Sequence, residues 1–185
     1  QAAACTYASR STRRALGCPG RVASERFRAV LADDPADAEA LEALSQLAQS
    51  GGRWAELAGL IATRRDLAEG SARAALAYQL GALKVERLDD KGGAVEAFRE
   101  ALGLVAHHGP SLGALEALLR DDAWRVRVAE ILEPEFAQTG DHARLAWVLQ
   151  ILLEAASDPA ARRGLALRLA SVYADALNDA RQGFE

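Results

Sequence analysis

The chain has no methionine, only two cysteines and three histidines, and few aromatic residues, which make up 5% of its 185 positions. Each scarcity excludes something. Cys5 and Cys18 alone are not a disulfide framework, although a single bridge between them stays open. They are also too few for a zinc site, because His107, His108 and His142 lie far along the chain. No apolar run reaches the roughly 18 residues that a membrane-spanning helix requires. A composition that is 50% hydrophobic yet poor in aromatics means an aliphatic core. Val, Ile and Thr never gather into alternating runs, so no strand is visible. Ala and Leu dominate instead, with much Glu, Arg and Gln, and all of these favour helices. The expected fold class is all-α.

The formal charge is −4 but uneven. Residues 1–30 carry Arg10, Arg13, Arg14, Arg21, Arg26 and Arg28 against the single Glu25, so the remainder is distinctly acidic. An acidic body gives no general attraction to nucleic acid or to an anionic membrane. The basic start reads first as solvated arginine on a tail, and second as a contact for an anionic partner.

What the chain does have is repetition. Leu76-Ala77 and Leu80 are followed by Leu88 and Asp90-Lys91-Gly92-Gly93-Ala94-Val95-Glu96. The frame returns 89 positions on, as Leu165-Ala166 and Leu169, then Leu177 and Asp179 to Glu185. Helix-patterned sequence that recurs means stacked helices, each burying its apolar face on its neighbours. Residues 1–20 lack periodicity and read as an irregular lead-in; a repeat domain spans 21–185. Breaks are expected at Asp33-Asp34-Pro35, Gly51-Gly52, Glu69-Gly70-Ser71, Asp89 to Gly93, Gly109-Pro110-Ser111, Asp121-Asp122, Thr139-Gly140-Asp141, Ser157-Asp158-Pro159 and Asn178-Asp179. Asp37, Ser71 and Asp121-Asp122 are candidate N-caps, and Pro134 is expected to bend its helix or split it near Glu133. The result is nine to ten short-looped, antiparallel helices.

The spacing of Ala23, Phe27, Val30 and Pro35 resembles the second half of a tetratricopeptide repeat. Leu41, Leu44, Ser45 and Ala48 then fall on that family's first helix, and Trp54, Leu57 and Ile61 on its second. Leu80-Gly81 looks like its Leu-Gly pair, and Ala94, Phe98, Ala101 and Leu102 match its second helix. The likeness is close over 22–108, fades through 110–140 and recovers over 141–185. Leu57 stands where a small residue is usual, and the long spacing departs from the family's short one. The resemblance implies a right-handed α-α superhelix, of a divergent bacterial scaffold type. The lack of methionine and the frame that restarts at Asp179 suggest a piece of a longer array.

No motif for catalysis stands out. Neighbouring His107 and His108 point about 100° apart on a helix and cannot readily share a metal; they read as a helix C-terminus favourable to imidazole. There is no helical His pair at i and i+4, no Gly-rich phosphate loop and no nucleophile elbow. No enzyme and no cofactor are expected. The resemblance instead implies a protein–protein interaction scaffold whose ligand lies on the inner face of first helices. Those positions carry Glu39, Glu42, Gln46 and Gln49, then Tyr78, Ala82 and Val85. The expected partner is a peptide or helix with basic residues. The family's Lys, Arg and Asn clamp for an acidic terminus is absent here. The alternative is a structural spacer or self-assembly module stacking on further repeats. The expected setting is cytoplasmic; Gln1-Ala-Ala-Ala-Cys5 also resembles the end of a cleaved signal or a lipidation site, which would make it periplasmic or lipid-anchored.

Overall fold

The computed structural model describes residues 19–182, with side chains over 21–176. Cys5, Cys18, the arginines before Pro19 and the side chains from Leu177 onward lie outside the described residues, and so does any pairing of the two cysteines. Among the described residues there are nine helices and no strand. They are α1 (Pro19–Asp33), α2 (Ala38–Ser50), α3 (Trp54–Leu67), α4 (Gly70–Arg87), α5 (Lys91–Leu104), α6 (Gly109–Leu118), α7 (Arg125–Thr139), α8 (His142–Ala155) and α9 (Pro159–Gln182). Each helix packs on the next, and the α4–α6 contact skips one helix. This near-linear order of contacts is what a stack of helices produces.

Local chemistry sets the breaks. Asp37 accepts from the Ala40 amide at 2.7 Å, Asp90 from Gly93 at 2.8 Å, Asp141 from Arg144 at 3.1 Å and Asp158 from Ala161 at 2.8 Å. Each carboxylate satisfies an amide that the first helical turn leaves free. Gly52 and Gly140 end α2 and α7 at φ +66° and +68°. There a residue with a Cβ would sit against its own carbonyl.

Helices bonded across one intervening neighbour form a layer. Arg28 meets Glu56 at 2.6 Å, Arg65 meets Glu100 at 3.4 Å, Arg127 meets Glu96 at 2.5 Å, and Arg168 meets Glu133. These pairs join α1 to α3, α3 to α5, α5 to α7 and α7 to α9. The odd-numbered helices therefore make one layer, held step by step. In the even layer, Tyr78 of α4 meets His108 at the start of α6 with ring centroids 5.8 Å apart, and Arg144 of α8 meets Glu116 of α6 at 3.3 Å.

The structure also refines the repeat. Buried or half-buried Phe27, Leu41, Leu44, Ala48, Leu57 and Ile61 recur 88 positions on as Leu115, Ala129, Leu132, Phe136, Leu145 and Leu149. Leu76, Leu80 and Leu83 recur 89 on as Leu165, Leu169 and Val172, because the α8–α9 connection is one residue longer than α3–α4. The unit α1–α4 is thus repeated as α6–α9, and α5 stands between. Five helices per period is an odd number, so α2 and α4 lie in the even layer while their counterparts α7 and α9 lie in the odd one.

Several expectations are corrected. Ser71 does not cap α4; the helix already starts at Gly70 and Ser71 lies in its first turn. Ser111 is no turn residue. Gly109-Pro110 opens α6, where proline's missing N–H costs nothing, and Ser111 is fully buried with its hydroxyl 2.7 Å from His108 Nδ1. Asp122 does not cap α7; Trp124 occupies the N-cap position with no side-chain bond. The His pair is not a helix end but the α5–α6 connection: His107, at φ +56°, turns to Glu135 at 3.1 Å, while His108 turns to Ser111. Of the two outcomes expected at Pro134, the helix is not split: α7 continues through it, with Pro134 on its exposed side. Nor does α9 stop at Asn178-Asp179; its backbone continues to Gln182. The turn at Asp89-Asp90 has Gly92-Gly93 after it and Lys84 bonded to Asp90 at 2.8 Å. At the second site Arg181-Gln182, both good helix formers, replace the glycines, and Tyr173 replaces Lys84.

Candidate peptide-binding groove

α2 and α4 are successive helices of the even layer, and α3 lies behind them. Side chains from all three enclose an open groove of about 420 Å³. Its α2 wall is Glu42, Ser45, Gln46 and Gln49; its α4 wall is Tyr78, Gln79, Ala82, Leu83 and Glu86; Leu57, Ile61 and Arg64 of α3 form the floor. The elements place these residues for ordinary reasons. Leu41, Leu44 and Ala48 turn inward from α2, so positions one or two residues away turn toward the gap. On α4, Leu80 locks onto Ala48, Leu57 and Ile61, which leaves Gln79, Ala82 and Glu86 on the groove side.

Five of the seven residues expected from sequence come together here: Glu42, Gln46, Gln49, Tyr78 and Ala82. Glu39 does not. It is exposed in the first turn of α2, where a carboxylate suits the positive end of the helix dipole. Val85 does not either, since it packs against the main core. Sequence reasoning missed Arg64, Gln79 and Glu86. Arg64 sits on a second helix, outside the face that the family likeness singles out, and only the fold brings it to Glu42.

The charges are partly spent. Arg64 Nη2 lies 2.5 Å from Glu42, and the Gln46 amide donates to the same carboxylate at 3.1 Å. Glu86 has no ion-pair partner among the described residues, so its charge on the groove wall is uncompensated. The free amides of Gln49 and Gln79 offer donors and acceptors along the walls, and Tyr78, Ala82 and Leu83 supply the apolar surface. The counterpart groove between α7 and α9 is different. Arg168 and Glu133 stand there in place of Gln79 and Ser45, and their ion pair spans from one wall to the other.

A further cleft of about 550 Å³ lies between α5 and α7, lined by Glu96, Arg99, Arg127, Glu130 and Pro134 among others. It is crossed by the Arg127–Glu96 pair. The hydrogen bond from Arg127 holds the Glu96 carboxyl below the usual carboxylate range. At the α4–α5 turn, the hydrogen bonds from Lys84 and then from the Gly93 amide do the same for Asp90. Among the described residues no cluster of His, Cys, Asp and Glu is arranged to hold a metal ion, and no helix is long and apolar enough to cross a membrane. Compared with known proteins, the chain matches no family profile, no curated protein and no solved structure.

Proposed function

We propose that the chain is a tetratricopeptide-like interaction scaffold, without catalysis, that holds a basic peptide or helix between α2 and α4. One observation carries this reading: the groove keeps its walls apart, where the equivalent groove of the second unit is bridged by Arg168 and Glu133. A Lys or Arg of the ligand meets Glu86. An adjacent apolar side chain lies on Tyr78, Ala82 and Leu83, and backbone amides meet Gln46, Gln49 and Gln79. Such grooves gain affinity mainly from apolar anchors, with charge choosing the partner.

A displayed library of random peptides, selected on the whole chain, tests the reading. Enriched peptides are expected to pair a basic residue with an apolar one. They lose about tenfold or more in affinity to Ala82→Trp and to Glu86→Lys, each a loss of roughly 1.4 kcal/mol or more. They keep their affinity for Asp175→Lys, the position equivalent to Glu86 in the second unit. Peptides that bind both groove variants as well as the parent chain would defeat the proposal.

A further inference from the structure

The α2–α4 groove carries a cation at one end and an acid at the other. Its floor, α3, runs antiparallel to both walls. Arg64, near the end of α3, reaches Glu42 in the second turn of α2. At the start of α3, the Trp54 ring centroid lies 4.8 Å from the Arg87 guanidinium at the end of α4. Glu86, next to Arg87, therefore stands at the Trp54 end of the groove, away from Arg64. From Trp54 to Arg64 is ten residues of helix, about 15 Å at 1.5 Å per residue. An extended segment covers that length in about four or five residues.

Arg64 still has donors to give. It bonds Glu42 through Nη2, has no other bonded partner among the described residues, and its side chain is 30% exposed. Three other arginines of this chain each hold two carboxylates: Arg65 takes Asp66 and Glu100, Arg125 takes Asp122 and Glu154, and Arg144 takes Asp141 and Glu116. Nor does the helix plan require a cation beside the acid at position 42. In the second unit the matching residues are Glu130, which has no bonded partner among the described residues, and Leu152, which packs on the main core.

We infer, resting on the α2–α4 groove as the ligand site, that its ligand is an extended segment of both charges. An acidic residue lies on the spare donors of Arg64, an apolar one on Ala82 and Leu83, and a basic one on Glu86, with acid and base four or five positions apart. The guanidinium has five N–H donors in a planar fork, so Arg64 keeps Glu42 and takes a second carboxylate on its other edge. Glu42 then competes with the ligand's acid for Arg64 and repels it. Removing Glu42 therefore strengthens this ligand, although the groove loses an acid and the ligand carries a base. A ligand with a base alone gains nothing from that loss.

The probe is the capped peptide Ser-Asp-Ser-Leu-Ser-Lys-Ser, beside a control with Asn in place of Asp. Each is titrated into the isotope-labelled whole chain and followed by NMR, which reads weak binding. Both peptides are expected to move the amides of Ala82 and Glu86, and only the Asp peptide the Nε–H signal of Arg64. The Asp peptide binds about threefold more tightly than the control, the scale of one partly exposed ion pair. Glu42→Gln tightens the Asp peptide by a further factor of about three and does not tighten the control. The double variant Arg64→Gln/Glu42→Gln removes the difference between the two peptides. If both peptides move Ala82 and Glu86 but bind the parent chain equally, or Glu42→Gln weakens the Asp peptide, the inference is overturned and the groove remains the ligand site. If neither peptide moves any groove amide, the inference falls together with the groove reading.

Discussion

The unit α1–α4 and the unit α6–α9 share a backbone plan and differ in what fills it. Ala48 in the first stands where Phe136 stands in the second, and Leu41 where Ala129 stands. The first unit buries a small cluster centred on Ala48, Leu57, Ile61 and Leu80. The second belongs to one continuous core that runs from Ala94 and Phe98 through Phe136 to Val172. The same plan thus yields a lightly filled unit with an open groove and a densely filled unit whose groove is crossed by an ion pair. Ser45 and Gln79 against Glu133 and Arg168 are enough to account for that second difference. The odd number of helices per period turns the two grooves to opposite layers, so one ligand cannot run along both.

Substitutions at matched positions sharpen this contrast. The largest effect is expected at Phe136, which is 1% exposed. Phe136→Ala leaves a void in the shared core and costs about 3–5 kcal/mol in urea unfolding, whereas the matched Ala48→Phe forces a ring in at a fully buried small side chain and costs about 1–3 kcal/mol. A smaller loss for Phe136→Ala than for Ala48→Phe would reverse the assignment of dense and light units. Next comes Ala101→Leu, which overpacks the α4–α5 seam for about 1–3 kcal/mol; unchanged thermal stability would remove the close approach of those two helices. Gly52→Ala and Gly140→Ala place a Cβ at matching left-handed positions and should each cost about 1–2 kcal/mol. Unequal costs would show that the two turns are not equivalent.

The smallest effect is on pH dependence. Hydrogen bonds lower the pKa of Glu96 and Asp90 in the folded chain. Their contribution is therefore present above the unfolded carboxylate value of about 4 and is lost as pH falls through the lower folded value. Glu96→Gln and Asp90→Asn should each flatten the acid limb of the stability curve below about pH 4. Both groups are on the surface, so the change is slight. An unaltered acid limb would mean that these bonds do not persist in solution.

The fold was legible because its determinants are local. Asp37, Asp141 and Asp158 cap through their own side chains, and Gly52 and Gly140 mark turns by conformation. Leu80 and Gly81 announce a small-against-large contact. What was not legible depends on partners distant in sequence. Nothing local marks Arg64 as a groove residue, and only the fold sets it beside Glu42; Val85, expected in the groove, packs instead on the core of the later helices. Asn178-Asp179 carries a turn-like pair, yet the residues that stabilise the matching turn, Lys84 and Gly93, have no equivalents there. The 89-residue frame, exact over α4 and α9, concealed that the preceding helices recur at 88.

The most direct test of the account is chemical-shift mapping. A basic peptide selected on the chain is titrated into the isotope-labelled protein. The account predicts that amide shifts gather at Gln46, Gln49, Gln79, Ala82 and Glu86, with α7 and α9 silent. Shifts that gather between α7 and α9, with these five amides unmoved, would contradict it.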